Sequence, residues 1–275
     1  MKYAQLVVGP AGSGKSTYCA AVQLHCKTIG RTVFVVNLDP AAEQFNYDCA
    51  VDVRDLISVE DVLEEEELAM GPNGALVYCM EYLADNLEWL HGHLNEGEDD
   101  YFIFDCPGQI ELYSHLPVMR QIVQALCAWN FSVCSIFVMD TTFCLDSTKF
   151  MSATLTALST TVSLQTPAVN VLSKMDLLSV EDRKTVGEIV DGELQNAIGQ
   201  EGRGQWEERH RKLTEAIATV IDDYSMIRFI PLDIEDEGSI EDLLQAVDNA
   251  IQYGEDAEVK TRYPDETDRG DLNDK

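Results

Sequence analysis

With 275 residues, 45% of them hydrophobic, the chain is long enough to bury the core of one large α/β domain. Its 49 acidic residues against 19 basic ones leave a formal net charge of −30, which repels a phosphate backbone and argues against direct nucleic-acid binding. A basic protein surface is the better electrostatic partner. The eight cysteines include no Cys-x-x-Cys pair and mostly lie in apolar runs, so buried reduced thiols are expected rather than disulfides or zinc ligands. The first strand begins at once, leaving no room for a leader, and no apolar run reaches membrane-spanning length. A soluble intracellular protein is expected, with no membrane partner.

The apolar run Tyr3–Val8 predicts a buried strand, and it breaks at Gly9-Pro10-Ala11-Gly12-Ser13-Gly14-Lys15-Ser16-Thr17. A strand that re-enters helix through Gly-Lys-Ser presents a row of backbone N–H groups to an anion, with the helix's positive end behind them. The four-residue gap between Gly9 and Gly14 fits the P-loop template, in which Lys15 reaches the β- and γ-phosphates and Ser16 ligates Mg²⁺. A helix is expected over 17–28 and closes at Gly30; Thr32–Asn37 is a β-branched strand of the kind buried on both faces of a parallel sheet. Asp39 follows that strand, at the end where α/β sheets gather ligands.

The spacing of Leu56, Val59, Val62 and Leu63 predicts a helix over 55–68, and Gly71-Pro72-Asn73-Gly74 interrupts. A second helix is expected over 75–94 with a stripe of Leu76, Met80, Leu83, Leu87, Leu90 and Leu94, fit either for core packing or for a partner subunit. Tyr101–Asp105 is a strand that ends in a carboxylate and runs into Cys106-Pro107-Gly108-Gln109; helix is expected from there through Trp129, with Pro117 near a first turn or at a kink. Further strands are expected at 131–139, 168–172 and 227–232, and further helices at 146–164, 205–224 and 240–251. The polar, glycine-containing stretch 180–205 is expected to be a mobile insertion, and the acidic segment 255–275 a disordered tail. Strand–helix alternation over 1–254 gives a doubly wound, mostly parallel sheet of P-loop NTPase type, with a helical segment inserted at 55–94.

A P-loop alone leaves kinases, ATPases and GTPases open. Asp105-x-x-Gly108 places a carboxylate to hold Mg²⁺ and a glycine N–H to sense a γ-phosphate, and Gln109 follows where an amide could orient water. Ser173-Lys174-Met175-Asp176 is a variant of the Asn-Lys-x-Asp guanine reader: a carboxylate accepts from both N1–H and the exocyclic amine of guanine, a donor pair adenine lacks. A tight Pro-Gly turn and a helix-start Asp are the plainer alternatives for these two segments. Pro10 stands where deviant-Walker ATPases carry a lysine, which weakens that reading.

Taken together, Gly9–Thr17, Asn37-Leu38-Asp39-Pro40-Ala41, Gly71-Pro72-Asn73, Asp105 to Leu112 and Ser173 to Asp176 resemble the GPN-loop GTPase family over about residues 1–254. Within it, the opening Tyr-Ala-Gln-Leu-Val and the segments 221–226 and 250–256 are similar to the third eukaryotic paralogue. The resemblance implies GTP/GDP and Mg²⁺ as cofactors and a slow GTP hydrolase. Phosphate, metal and base would be held by Gly12, Ser13, Gly14, Lys15, Ser16, Thr17, Gly108 and Ser173 to Asp176; the metal falls to Ser16, Asp39 and Asp105, and catalysis to Lys15, Asp39, Gln109 and Asn73. It further implies a dimer, with the first paralogue or with itself, in which Asn73 reaches the partner's pocket. A cytoplasmic protein shuttling to the nucleus, engaged in RNA polymerase II assembly or import, completes the expectation. Read from the residues alone, Gly-Pro-Asn is a helix connection, and a nucleotide-holding scaffold without turnover or a P-loop kinase stay open.

Overall fold

The computed structural model describes residues 1–65, 68–94, 100–190 and 228–254. Among these described residues seven strands form one sheet: β1 Lys2–Val8, β2 Phe34–Asn37, β3 Cys49–Asp52, β4 Tyr101–Asp105, β5 Phe131–Asp140, β6 Ala168–Ser173 and β7 Phe229–Pro231. Their spatial order is β3-β2-β4-β1-β5-β6-β7, and every pairing is parallel. Parallel strands need crossovers, and the crossovers here put helices on both faces.

Strand β1 shows why it lies at the centre. Ala4, Leu6 and Val8 point into one apolar layer, Tyr3 and Val7 into the other, and all are buried. One layer is covered by α1 (Lys15–Thr28) and the last described helix, α9 (Glu237–Ile251). The other is covered by α2 (Val59–Glu64), α3 (Pro72–Asp85), α4 (Leu87–His93), α5 (Glu111–Ser114), α6 (Val118–Ala128), α7 (Ser147–Leu164) and α8 (Val180–Val190). This is the doubly wound architecture the sequence predicts.

Local chemistry shifts several boundaries. The helix expected over 55–68 starts only at Ser58, whose hydroxyl accepts from the Asp61 N–H at 3.1 Å while the Asp61 carboxylate accepts from the Ser58 N–H at 3.1 Å. That capping box fixes the N-terminus. The helix expected over 75–94 begins at Pro72 and breaks at Asn86, whose side-chain amide donates to the Tyr82 carbonyl at 2.8 Å and so competes with helix continuation. Its apolar stripe is core: Leu76, Met80, Leu83, Leu90 and Leu94 are buried within this chain, with Leu87 packed partly buried against them. The helix expected to run to Trp129 is two helices, and Pro117 caps the second. There its missing N–H costs no hydrogen bond.

Strand β3 is absent from the sequence-based expectation because its four residues include a single β-branched one, Val51; pairing of Val51 with Val36 and of Asp52 with Asn37 makes it the sheet edge. Within the expected insertion, 180–190 is α8. The remainder, 191–205, the expected helix over 205–224 and the tail 255–275 lie outside the described residues. All eight cysteines are free thiols. No helix among the described residues is long and apolar enough to cross a membrane.

Helix α9 is fastened by a polar cluster. Arg31 pairs with Asp248 through two hydrogen bonds of 2.7 and 3.0 Å, and its guanidinium lies 4.1 Å from the Tyr101 ring and 3.8 Å from that of Tyr253. Behind it, Gln5 in the central strand accepts from the Tyr18 hydroxyl at 2.6 Å and donates to the Tyr101 hydroxyl at 2.7 Å. A fully buried amide is thereby satisfied on both ends.

Candidate active site

Because every strand is parallel, the carboxyl ends of β1, β2, β4, β5 and β6 open on one edge of the sheet. Strand β1 leaves that edge at Gly9, whose φ of +144° and whose absent Cβ, which would meet the Val138 carbonyl oxygen at 2.3 Å, admit only glycine. Gly12 and Gly14 also have positive φ, and Gly14 caps α1. Such a run of turns aims successive N–H groups inward, the geometry of an anion cradle.

Lys15 is buried, and its ammonium donates to the Gly9 and Pro10 carbonyls, each at 3.1 Å. Burial pulls its pKa below the usual lysine value, against the opposing pull of Asp105 and Asp39. The Ser13 hydroxyl is buried with no hydrogen-bond partner among the described residues. An unsatisfied donor inside the cradle fits a site built for a polar, acceptor-rich guest.

Asp105 stands beside the cradle because β4 pairs with β1 in a register that sets Asp105 against Val7. Its carboxylate is buried, accepts from the Tyr47 hydroxyl at 3.0 Å and is hydrogen-bonded by Ser16. Burial pushes its pKa up, and the bonds from Ser16 and Tyr47 and the charge of Lys15 only partly offset this. Asp39 follows β2, is half-buried and caps the Ala41 N–H at 2.9 Å; burial raises its pKa too. Asn37 holds this turn, its carbonyl accepting from the Asp39 N–H at 3.0 Å and its amide donating to Asp52 at 2.8 Å.

A Cβ on Gly108 would lie 2.8 Å from the Ala11 Cα, so glycine alone lets the β4–α5 turn close onto the cradle. Gln109, half-buried, is the residue that follows this contact. The donor set of Ser16, Asp39 and Asp105 is all oxygen, and among the described residues there is no cluster of three or more His, Cys, Asp or Glu that could cage a metal. An all-oxygen set of this kind fits Mg²⁺, a hard cation that keeps waters and shares phosphate oxygens.

Strand β6 delivers the fourth segment. Ser173, expected to bind the base, is buried, and its hydroxyl lies within hydrogen-bond reach of the Ser13 and Met139 carbonyls. Its side chain braces the Ser173–Asp176 motif against the cradle. Lys174 takes a left-handed φ of +63° and pairs with Asp140 at 2.6 Å; the Thr141 hydroxyl donates to the Ser173 carbonyl at 2.9 Å. Burial raises the Asp140 pKa, but the bonds from Lys174 and Thr142 outweigh it and hold the carboxyl below its usual range. Asp176 is half-buried and, among the described residues, is held by no hydrogen bond or ion pair.

Sequence reasoning missed Tyr47, Asn37 and Asp140. Asp140 carried the same signal as Asp105, a carboxylate ending an apolar strand; Tyr47 carried none, since it lies in irregular chain. Gly71, Pro72 and Asn73, by contrast, form the exposed first turn of α3, and the Gly71 carbonyl accepts from the Ala75 N–H at 2.9 Å.

A parallel sheet whose central strand opens into a glycine cradle, with a lysine inside it and a carboxylate on the adjacent strand end, defines a P-loop nucleoside-triphosphate-binding protein. A family model described as "Conserved hypothetical ATP binding protein" matches residues 7–253. The chain is 50% identical over 270 residues to GPN-loop GTPase 3 of Xenopus tropicalis, covering 98% of this chain and 95% of that one. It is 43% identical over 258 residues to GPN-loop GTPase 3 of Saccharomyces cerevisiae, covering 93% and 94%. The chain belongs to the GPN-loop GTPase family. A crystal structure from Pyrococcus abyssi, titled a GTPase in apo form, superposes with a TM-score of 0.74 over 90% of this chain and 97% of that chain; at 23% identity it shows the same fold.

Proposed function

We propose that this protein binds GTP with Mg²⁺ and hydrolyses it slowly, using the nucleotide state as a dimerisation-linked switch. The observation that carries the reading is the convergence of Lys15, Ser16, Asp39 and Asp105 on one edge of the sheet, around a cradle with an unsatisfied hydroxyl. Ser16, Asp105 and Asp39 are the residues that would hold Mg²⁺, and the ion would supply positive charge against the phosphates. Lys15 exchanges the Gly9 and Pro10 carbonyls for phosphate oxygens, a gain for an ammonium that burial otherwise disfavours. The cradle N–H groups take up charge that develops on the γ-phosphoryl. Gln109 or Asp39 positions the attacking water.

Guanine is the favoured base because the Asp176 carboxylate, which no hydrogen bond or ion pair among the described residues holds, lies two residues from the tethered Lys174 and can accept from N1–H and the exocyclic amine. The names of the relatives agree with this reading; the family model's description speaks of ATP. Calorimetric titration with GTP, GDP and ATP, with Mg²⁺ and with EDTA, separates the two. GTP and GDP should bind and ATP should not, and Asp176→Ala should weaken GTP by about 10- to 150-fold, the worth of hydrogen bonds to a charged acceptor. ATP binding as tight as GTP would overturn the guanine assignment. The exposed Asn73 is proposed to complete a partner's pocket, in a pair of two copies or with the first paralogue. The family resemblance adds RNA polymerase II assembly or nuclear import as the proposed setting, and cytoplasm-to-nucleus shuttling with it.

A further inference from the structure

The connection between β2 and β3 is irregular, and from Ala41 onward it is mostly exposed with one buried residue, Tyr47, which is 8% exposed and whose hydroxyl donates to Asp105 Oδ2 at 3.0 Å. This contact spans 58 residues of sequence and is supported from behind. The Phe45 ring stacks on Tyr47 with centroids 4.6 Å apart and planes at 7°. The Arg54 guanidinium lies 5.0 Å from the Phe45 ring, donates to the Ala42 carbonyl at 2.8 Å and is anchored by Asp52 at 2.6 Å. Asp52 in turn accepts from Asn37. A relay of packed groups thus runs from the sheet edge to one oxygen of the carboxylate that neighbours Ser16.

Donation is fixed in direction. A phenol hydroxyl carries a proton and an ionised carboxylate carries none, so Tyr47 donates and Asp105 Oδ2 accepts. A carboxylate with Oδ2 held in this way, and hydrogen-bonded by Ser16 as well, cannot rotate freely. Buried polar groups that are fully satisfied hold a single geometry.

We propose that Tyr47 is a positioning residue for Mg²⁺: by holding Asp105 Oδ2 it presets the carboxylate for the metal and couples the β2–β3 connection to metal occupancy. The inference rests on the Mg²⁺–GTP reading above and goes beyond it by adding a residue that touches neither metal nor nucleotide. Tyr47→Phe keeps the ring, the stacking on Phe45 and the packing, and removes one hydroxyl. Its test is a Mg²⁺ titration of full-length protein at fixed fluorescent N-methylanthraniloyl-GTP, beside GTP affinity in EDTA and thermal unfolding without nucleotide. The Mg²⁺ midpoint should rise by about 5- to 20-fold, near the lower end of what one hydrogen bond to a charged group contributes because Tyr47 acts only through Asp105, while affinity in EDTA stays within about twofold. Phe45→Leu, which loosens the stack but keeps the hydroxyl, should move the midpoint in the same direction by less. An unchanged or lowered Mg²⁺ midpoint in Tyr47→Phe would overturn the inference, as would equal losses with Mg²⁺ and with EDTA. If the unaltered protein bound GTP no better with Mg²⁺ than with EDTA, the metal reading of the site itself would fall instead.

Discussion

At Asp105, stability and binding oppose one another. Its folded pKa lies above the ordinary 3.8, first because of burial, so at every pH above that raised value the ionised carboxylate destabilises the nucleotide-free fold. The cost vanishes as pH falls through the raised value toward 3.8. Asp105→Asn keeps an acceptor for Tyr47 and sheds the charge. It is expected to raise the melting temperature of nucleotide-free protein near neutral pH by about 2–4 °C, the response to roughly 1 kcal/mol in a chain of this size. The same variant should lose the extra stabilisation that Mg²⁺–GTP gives the unaltered protein. Scanning fluorimetry with and without Mg²⁺–GTP checks both, and a lowered midpoint without nucleotide would contradict the sign. For Lys15 the loss is one-sided: Lys15→Ala removes charge-assisted bonds to phosphate, and calorimetry should show GTP affinity reduced by at least about tenfold.

At the scale of elements, two joints decide whether the site exists. The β1–α1 joint depends on Gly9 and Gly12 to different degrees. A Cβ at Gly9 would strike the Val138 backbone oxygen of β5 in a conformation open to glycine alone, whereas one at Gly12 would meet nothing within 4 Å. Gly9→Ala should therefore cost at least about 2 kcal/mol of unfolding free energy, and Gly12→Ala about 1–2 kcal/mol from its left-handed backbone. Urea denaturation ranks them, and the reverse order would refute the assigned contact. The second joint is α9, docked through Arg31. Arg31→Ala strips the partner from Asp248 and the cation from its place against two tyrosine rings. A loss of about 2–4 kcal/mol is expected in urea denaturation.

For the whole molecule, the arrangement of α3 matters most. Its apolar stripe is consumed by the chain's own core, while Gly71, Pro72 and Asn73 at its start remain exposed. A loop held out on a rigid helix suits contact with a second chain, and an asparagine amide donates to phosphate without adding charge, a weaker aid than an arginine. Asn73→Ala is expected to lower GTP turnover by about tenfold or more while GTP affinity changes by less than about threefold. A phosphate-release assay beside a binding titration reads the split, with native mass fixing which assembly is present. Equal turnover would leave Asn73 a turn residue. The −30 charge bears on the same scale: it favours a basic protein surface as partner, and any such association should weaken with added salt.

The local code was legible wherever a segment's chemistry suffices for its conformation. Glycines at fixed spacing after an apolar strand specify the cradle, and carboxylates ending such strands mark Asp105; strand–helix alternation specifies a parallel sheet with helices on both faces. Tertiary structure alone decided what depends on neighbours distant in sequence. The edge strand Cys49–Asp52 exists through pairing with β2, because four residues with one β-branched member have little preference of their own. The leucine stripe could face a core or a partner until the sheet filled its groove. Ser173 sits in a motif that suggests a base contact, yet the approach of β6 to the P-loop turns its hydroxyl to backbone carbonyls. Tyr47 reaches Asp105 because β2 pairs with β4, a contact no local pattern encodes.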